Sequence, residues 1–256
     1  MSVPNLFSVE GKRALVTGGA RGIGAATARL LAECGADVAI GYRTRKVEAD
    51  GVVSDVKAFG RRAMAVAGDL GEPGVADGLV ERVVNEWGGL DILVHSAGIW
   101  PAEDVPVHEM TDARWRRTMR ENLNAMFFVS RAAARVLGDG GRIVHISSTA
   151  GQRGEAGHAD YAASKGAMIS FVKSQAVELA RRGITVNCVA PGWVETEMAA
   201  GALAADREGT IAAGIPVGRV ASARDIAVAV VALCAPGARH IVGEIVNVNG
   251  GSVLPG

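Results

Sequence analysis

The 256-residue chain is 49% hydrophobic and 21% charged, which is enough apolar material for one large α/β domain with an extensive core. Its 27 lysines and arginines balance 27 aspartates and glutamates, and aromatic residues make up only 4% of the chain. A nucleic-acid-binding protein would normally show a basic excess or aromatic stacking surfaces, so the composition disfavours that class.

Residues 1–11 lack the basic stretch and long apolar run of a signal peptide, and no window of the sequence has the length of a membrane span. We therefore predict a cytoplasmic protein without membrane contact. The three cysteines, Cys34, Cys188 and Cys234, are widely spaced and lie in apolar segments. We interpret them as buried free thiols rather than as a disulfide or metal ligands, and we predict no metal site.

The chain alternates short β-branched runs with longer helical patterns. The strand candidates are Arg13–Thr17, Asp37–Ile40, Ala63–Ala67, Ile92–His95, Arg142–Ile146, Thr185–Val189 and Ile245–Val248. The helical patterns cover Ile23–Cys34, Val47–Phe59, Val75–Trp87, Ala113–Val136, Ala159–Arg181 and Ala223–Cys234. This order predicts an α/β, single-domain Rossmann fold over residues 1–256, with a doubly wound, seven-stranded parallel sheet and helices on both faces.

One long segment between strands, residues 191–220, shows no clear periodicity. In a compact domain a segment of this length is usually a functional lid. We expect this segment to be the substrate loop of a single dinucleotide-binding and catalytic domain.

A glycine-rich segment directly follows the first strand. It contains Gly18, Gly22 and Gly24, and a helical pattern begins at Ile23. Glycines let the backbone turn sharply and approach a pyrophosphate, and the free N–H groups at a helix start hold an anion. Because dinucleotides bind at the first strand–helix junction of such sheets, we predict a dinucleotide site rather than a tight turn without a ligand.

The end of the second strand indicates which nicotinamide cofactor binds. An NAD site places an acidic residue about 20 residues beyond the turn, on the ribose 2′-hydroxyl. This sequence instead has Gly41, Tyr42 and Arg43. Arg43 and Arg21 could bind the additional phosphate of NADP through charge-assisted bonds, or both could be solvated surface charges. We predict NADP(H), with Tyr42 beside Arg43 in the site.

Tyr161 and Lys165 lie four residues apart at the start of a long helical pattern, so their side chains share one helix face. A free tyrosine titrates at about pH 10, and a nearby positive charge lowers this pKa. The tyrosine could then exchange a proton with a carbonyl oxygen near working pH. A candidate strand ends at Ser147 and Ser148, and strand ends carry the ligand side of an open α/β sheet.

Taken in chain order, these motifs resemble the short-chain dehydrogenase/reductase family over nearly the whole chain. The turn T-G-x-x-x-G-x-G and a serine thirteen residues before the tyrosine recur in that family. The resemblance implies that Asn122, Ser148, Tyr161 and Lys165 are the catalytic residues, with Asn122 holding a water that links the lysine to solvent.

The resemblance also implies further cofactor contacts. Besides Tyr161, Lys165 and the residues above, these are Ile23, Asp69, Leu70, Ser96, Ala97, Gly98, Pro191, Gly192, Val194 and Thr196. Asp69 lies where the family's acidic residue contacts the adenine. Ser96 replaces an asparagine of the usual Asn-Asn-Ala-Gly segment and so removes a longer hydrogen-bonding side chain. We interpret His95, which precedes it, as a structural histidine rather than a catalytic one.

The implied reaction gives each catalytic residue one role. The nicotinamide supplies hydride to a carbonyl carbon. Ser148 orients the carbonyl oxygen and stabilises the charge that develops on it, and Tyr161 protonates that oxygen. Lys165 lowers the pKa of the tyrosine and bonds the nicotinamide ribose.

The similarity is greatest to the 3-oxoacyl-(acyl-carrier-protein) reductase branch of the family. We therefore predict NADPH-dependent reduction of a ketone, with a 3-oxoacyl thioester carried on acyl carrier protein or coenzyme A as the substrate. Trp100, Trp193 and Met198 are candidate substrate contacts, although each could simply pack. An acidic carrier protein would need a basic rim. Its candidates, which could equally be solvated helix faces, are Arg114, Arg116, Arg117, Arg120, Arg181 and Arg182.

Small residues follow Tyr161 along its helix, and the family pairs this helix in a dimer interface, usually within a tetramer. We expect a homotetramer. Two other functions stay open: an NAD(P)-dependent dehydrogenase of a sugar, steroid or other secondary alcohol, and a dinucleotide-sensing protein without catalysis.

Overall fold

The structure is a computed structural model, and it describes residues 7–254. The strands are β1 (Arg13–Thr17), β2 (Asp37–Tyr42), β3 (Ala63–Ala67), β4 (Leu90–His95), β5 (Leu137–Ile146), β6 (Thr185–Pro191), β7 (Val194–Glu195), β8 (Ala221–Ser222) and β9 (Ile245–Val248). The α-helices are α1 (Gly22–Glu33), α2 (Lys46–Ala58), α3 (Val75–Trp87), α4 (Asp112–Thr118), α5 (Ala125–Val136), α6 (Ala150–Arg153), α7 (Ala159–Leu179), α8 (Ala200–Ala205), α9 (Thr210–Ala213) and α10 (Ala223–Cys234).

Seven strands form one parallel sheet in the order β3-β2-β1-β4-β5-β6-β9. The predicted doubly wound Rossmann fold is therefore confirmed. The chain proceeds outward from β1 to β3 and then crosses back to place β4 on the other side of β1. Thr17, the last residue of β1, consequently has Gly41 of β2 as one neighbour and His95 of β4 as the other. Connections diverge at this point, which leaves a crevice above the carboxyl ends of the strands.

Both faces of the sheet are covered, because successive strand residues point to opposite sides. Val16 packs with Leu31 of α1 and Val230 of α10 in one core cluster. Its neighbour Leu15 packs with Val129 of α5 and Val172 of α7 in the other. The apolar runs that predicted the strands are thus buried on two sides, and the sheet provides a rigid edge for the loops.

The predicted single helix Ala113–Val136 is instead three consecutive segments. A π-helical turn, Met119–Asn124, separates α4 from α5. Such turns insert one extra residue into a helix and often lie at functional sites. The hydrophobic periodicity predicted a continuous helix because the π-helical turn keeps the chain helical and interrupts the α-helix over only six residues. The interruption depends on tertiary hydrogen bonds of Asn122, described below.

The segment without periodicity also contains regular structure. Residues 196–220, which we call the flap, include α8 and α9, and neither helix contains a buried residue. The short strands β7 and β8 pair at its base. These elements are only two to six residues long and lack a buried stripe, so periodicity could not predict them.

Two further predictions concern the cysteines and membrane-spanning helices. All three cysteines are free, as predicted, although Cys34 is only partly buried. Within residues 7–254, no helix has both the length and the apolar content needed to cross a bilayer.

Gly24 offers a direct test of the packing beneath the glycine-rich turn. A Cβ there would lie 2.3 Å from the Gly18 carbonyl oxygen, whereas a Cβ at Gly78, in α3, would meet no atom within 4 Å. We expect Gly24→Ala to lower the free energy of unfolding by about 1–3 kcal/mol, as overpacking does. Gly78→Ala should leave it unchanged or raise it by up to about 1 kcal/mol through helix propensity. Urea unfolding of both variants measures this, and equal stabilities would contradict the packing argument.

Candidate active site

Two adjoining cavities open along the carboxyl edge of the sheet. The serine–tyrosine cavity contains Ser148, Tyr161 and Lys165, and the arginine cavity contains Arg43 and Arg45. Both are lined by Gly18, Arg21, Ala97, Gly98 and Ile99. Because they share these residues at the point where the strand order reverses, they form one continuous cleft.

Nearly all predicted cofactor-binding residues line this cleft. In the serine–tyrosine cavity these are Gly18, Arg21, Gly22, Ile23, Ser96, Ala97, Gly98, Tyr161, Lys165, Pro191, Gly192, Val194 and Thr196. In the arginine cavity Tyr42, Arg43, Asp69 and Leu70 join them. Gly24 lines neither cavity, because it packs beneath the turn against Gly18.

The start of α1 is suited to an anion. Arg21, the N-cap residue that precedes the helix, makes no side-chain capping bond, and the first turn contains no acidic residue. The N–H groups of that turn therefore remain available, with the positive end of the helix dipole behind them. Gly18 and Gly22 have φ angles of 65° and 52°, which a side chain would disfavour. This cradle fits the pyrophosphate of a dinucleotide.

The catalytic candidates come from two neighbouring elements. Ser148 follows β5, whereas Tyr161 and Lys165 lie on the first turns of α7. The Ser147 hydroxyl donates a 2.8 Å hydrogen bond to the Lys165 carbonyl oxygen and so ties α7 to the strand end. The Lys165 ammonium donates to the Ile146 carbonyl oxygen at 2.8 Å and lies 5.7 Å from the centre of the Tyr161 ring. The three predicted residues are thus brought together.

Burial dominates the electrostatics of this group. Burial raises the pKa of Tyr161 to about 12, and only the neighbouring Ser148 hydroxyl opposes the rise. This direction is opposite to the expected lowering by Lys165. Lys165 is itself buried, which lowers the pKa of its ammonium to about 8. Tyr161 is therefore a weaker acid than a free tyrosine, although both are protonated at neutral pH.

Asn122 is fully buried in the π-helical turn and makes three hydrogen bonds with its side-chain amide. Its Oδ1 accepts from the Ile99 backbone N–H at 2.7 Å, and its Nδ2 donates to the Ile99 carbonyl and to Ser164 Oγ, both at 3.0 Å. A Cβ at Gly98 would lie 3.0 Å from this Oδ1. Asn122 therefore clamps the segment after β4 against α7, and its expected water contact stays a prediction.

His95 is a structural residue, as its position predicts. It is fully buried, and its Nδ1 shares a 2.9 Å hydrogen bond with Thr17 Oγ1 of the adjacent strand. Burial holds its pKa well below 6.5, and neighbouring His145 adds to this lowering. The imidazole is thus neutral and holds β1 and β4 together.

The arginine cavity has three guanidinium groups, each paired with a carboxylate. Arg43 lies 2.9 Å from Glu121, and Arg21 lies 2.8 Å from Glu197. Arg45, which sequence analysis missed, lies 2.9 Å from Glu48. Arg21 and Arg43 thus reach the same cavity, as their predicted joint role requires.

Asp69 lies at the floor of the arginine cavity with both carboxylate oxygens engaged. One accepts a 2.6 Å bond from Arg120 and the other a 3.0 Å bond from the Gly71 backbone N–H. Burial acts to raise the pKa of Asp69, but these bonds outweigh it and the pKa is lowered. The Asp69 carboxylate is therefore charged and fixed in place.

Comparisons with known proteins agree with this geometry. A family model described as enoyl-(acyl carrier protein) reductase matches residues 18–252. The 3-oxoacyl-[acyl-carrier-protein] reductase FabG of Vibrio cholerae is 42% identical over 250 residues, which cover 97% of this chain and 100% of that protein. The chain belongs to the short-chain dehydrogenase/reductase family. It is an oxidoreductase of that family, which confirms the resemblance.

Other relatives of this short-chain oxidoreductase differ in activity. A cis-4-hydroxycyclohexanecarboxylate dehydrogenase from Sinomonas cyclohexanicum is 40% identical over 240 residues, covering 93% of this chain and 95% of that protein. A solved short-chain dehydrogenase from Burkholderia cenocepacia J2315, in complex with NADP, is 42% identical. It superposes with a TM-score of 0.89, covering 95% of this chain and 98% of that one.

The serine–tyrosine cavity of this oxidoreductase has an aromatic wall. The Trp100 ring stacks on His158 with ring centroids 4.7 Å apart. Trp193 packs edge-on against the Trp100 ring, with centroids 6.0 Å apart. Met198, from the flap, also lines the cavity, so all three predicted substrate contacts reach it. Glu155 completes the lining, and burial raises its pKa. No sequence motif identified Glu155 as a residue of the site.

The predicted basic rim is largely neutralised in this oxidoreductase. Five of its six arginines have carboxylate partners. The pairs are Arg114–Asp160, Arg116–Asp112, Arg117–Glu121, Arg120–Asp69 and Arg182–Asp139. These residues therefore present little unbalanced positive charge to an acidic carrier protein.

Proposed function

We propose that this short-chain oxidoreductase reduces a ketone to a secondary alcohol with NADPH. NADP(H) is the cofactor, in keeping with the NADP complex of the Burkholderia relative. The observation that carries the proposal is the single cleft in which Ser148, Tyr161 and Lys165 lie beside an uncapped helix start.

Different residues of the cleft bind different parts of the cofactor. The first turn of α1 holds the pyrophosphate, and the guanidinium groups of Arg21 and Arg43 bind the 2′-phosphate. Arg45 lines the same cavity and adds a third cation. Gly98 lets the segment after β4 approach Asn122, since a Cβ there would lie 3.0 Å from Asn122 Oδ1.

In the bound state the cofactor supplies a hydride to the carbonyl carbon. The Ser148 hydroxyl donates to the carbonyl oxygen and orients it for that transfer. Tyr161, which is protonated at neutral pH, gives its proton to the same oxygen. The Lys165 ammonium stabilises the phenolate that remains, and Asn122 holds the adjoining backbone in place.

For the substrate we propose a 3-oxoacyl thioester, a proposal supported by the similarity to the Vibrio cholerae reductase. The paired rim does not distinguish a carrier-protein thioester from a coenzyme A thioester, because both carriers are strongly anionic. A dehydrogenase of a cyclic secondary alcohol is the second candidate. It is supported by the Sinomonas relative and by the apolar wall of Trp100 and Trp193. A sensing protein without catalysis is not favoured, because every catalytic position is filled.

The loss of reduced-nicotinamide absorbance tests these alternatives. The panel pairs NADPH or NADH with acetoacetyl-CoA, acetoacetyl-carrier protein, cyclohexanone-type ketones and, as a C=C substrate, crotonyl-CoA. Fast oxidation of NADPH with acetoacetyl-CoA supports the thioester proposal. Activity only with cyclic ketones favours the second candidate. A preference for NADH, or reduction of crotonyl-CoA alone, would contradict the proposal.

Tyr161→Phe removes the donated proton while keeping the ring. We expect turnover to fall by about 100-fold or more, within the usual contribution of a general acid. NADPH binding, followed by the change in its fluorescence, should stay within a factor of about 3, because the hydroxyl carries little binding energy. Undiminished turnover would contradict the assigned role.

The pH profile depends on the buried lysine. Because burial lowers the pKa of Lys165 to about 8, its stabilising charge is lost as the pH rises through that value. We expect kcat/KM for ketone reduction to fall above about pH 8. Lys173→Gln, at an exposed position of the same helix, should keep this profile. A profile that is flat to pH 10 would show that the lysine charge is not needed.

Assembly and location stay predictions. Exposed Phe127 on α5 and Val177 on α7 offer apolar contact surface, which is consistent with a homotetramer. Size-exclusion chromatography with light scattering should give about four times the 26.3 kDa chain mass, and a monomer would refute it. A cytoplasmic location is proposed from the sequence alone.

A further inference from the structure

The flap reaches the arginine cavity through one side chain. Glu197 Oε2 lies 2.8 Å from Arg21 Nη1 and 3.5 Å from Arg45 Nη2. The preceding residue, Thr196, is in contact with the glycine-rich turn, since a Cβ at Gly22 would lie 3.3 Å from its Cγ2. A single carboxylate from the substrate loop therefore links two cations of the cofactor site.

Arg43 is held differently. Its partner Glu121 belongs to the π-helical turn, is only 9% exposed and also pairs with Arg117 at 3.2 Å. That carboxylate is fixed by the fold. Glu197 is 53% exposed and lies on a segment whose two helices bury no residue. Few buried apolar contacts mean a low local stability, so the flap is the partner that can move.

We propose that Glu197 competes with the 2′-phosphate of NADP(H) for Arg21 and Arg45, so that phosphate binding releases the flap from the glycine-rich turn. The inference rests on the proposed placement of the 2′-phosphate at these arginines. It adds a specificity-determining residue, Glu197, from the flap to the residues of the glycine-rich turn.

The charges of the 2′-phosphate and the Glu197 carboxylate determine which of them the arginines bind more strongly. A phosphate monoester carries about two negative charges near neutral pH, against one for a carboxylate. An ion pair with partners 41% and 53% exposed is screened by solvent and shifts an equilibrium by no more than about 5-fold. The phosphate therefore displaces Glu197, at a small cost in affinity.

The coupling is reciprocal. If the 2′-phosphate weakens the hold of Arg21 and Arg45 on Glu197, the flap contact must weaken phosphate binding by the same factor. A cofactor without the 2′-phosphate leaves the flap attached. The position of Met198, which follows Glu197 and lines the substrate side of the cleft, then differs between the two cofactors.

The test measures binding of two ligand fragments to the full chain by calorimetry: adenosine 2′,5′-bisphosphate and adenosine 5′-monophosphate. Glu197→Gln should bind the bisphosphate about 2- to 5-fold more tightly than wild type and the monophosphate equally well. Glu208→Gln, an exposed flap carboxylate without an ion-pair partner among residues 7–254, should change neither. The gain should shrink in an Arg21→Gln background, which leaves Glu197 only its 3.5 Å contact with Arg45.

Hydrogen exchange of the flap supplies a readout independent of affinity. The bisphosphate should raise the exchange of amides 199–213 in wild type, and Glu197→Gln should show raised exchange without ligand. Unchanged or weakened bisphosphate binding by Glu197→Gln, or flap protection by the bisphosphate, overturns the proposal. If wild type binds both fragments equally, the proposed phosphate site is itself wrong.

Discussion

The cleft depends on the close approach of two backbone segments where the strand order reverses. Gly18, after β1, lies so close to Ala97, after β4, that a Cβ on Gly18 would be 2.8 Å from the Ala97 nitrogen. Thr17 Oγ1 accepts a 3.3 Å bond from that same nitrogen and shares a 2.9 Å bond with His95. A right-handed doubly wound sheet opens its crevice at this point, and the two loops form the part that both cavities share.

The chemical group depends on a second constraint, the burial of charge. Lys165 is removed from water, and its ammonium donates a hydrogen bond to the Ile146 carbonyl oxygen. Isolated burial of an ammonium is costly, which is why its pKa is lowered to about 8. The same surroundings raise the pKa of Tyr161 to about 12, so its phenol is a weaker acid than a free tyrosine. In the proposed mechanism, proton donation by Tyr161 therefore depends on Lys165 stabilising the phenolate that forms.

Local patterns predicted the features that local chemistry determines. The strands, the glycine-rich turn and the Tyr161–Lys165 spacing depend on neighbours in the chain, and the structure has them where the sequence indicates. The π-helical turn contains Asn122, whose side chain hydrogen-bonds to the Ile99 backbone in a distant segment of the chain. Glu155 and Glu197 likewise acquire their surroundings only through tertiary contacts. The pKa of Tyr161 was expected to fall with Lys165 nearby, because a sequence reveals the charge but not the degree of burial.

We propose that one cleft holds the dinucleotide across the switch point, with its reactive end at Tyr161. A crystal structure with bound NADP⁺ would show where each part of the cofactor lies. We expect the pyrophosphate at the first turn of α1, the 2′-phosphate among Arg21, Arg43 and Arg45, and the nicotinamide beside Tyr161 and Lys165. A cofactor bound in the reverse direction, or outside this cleft, would contradict it.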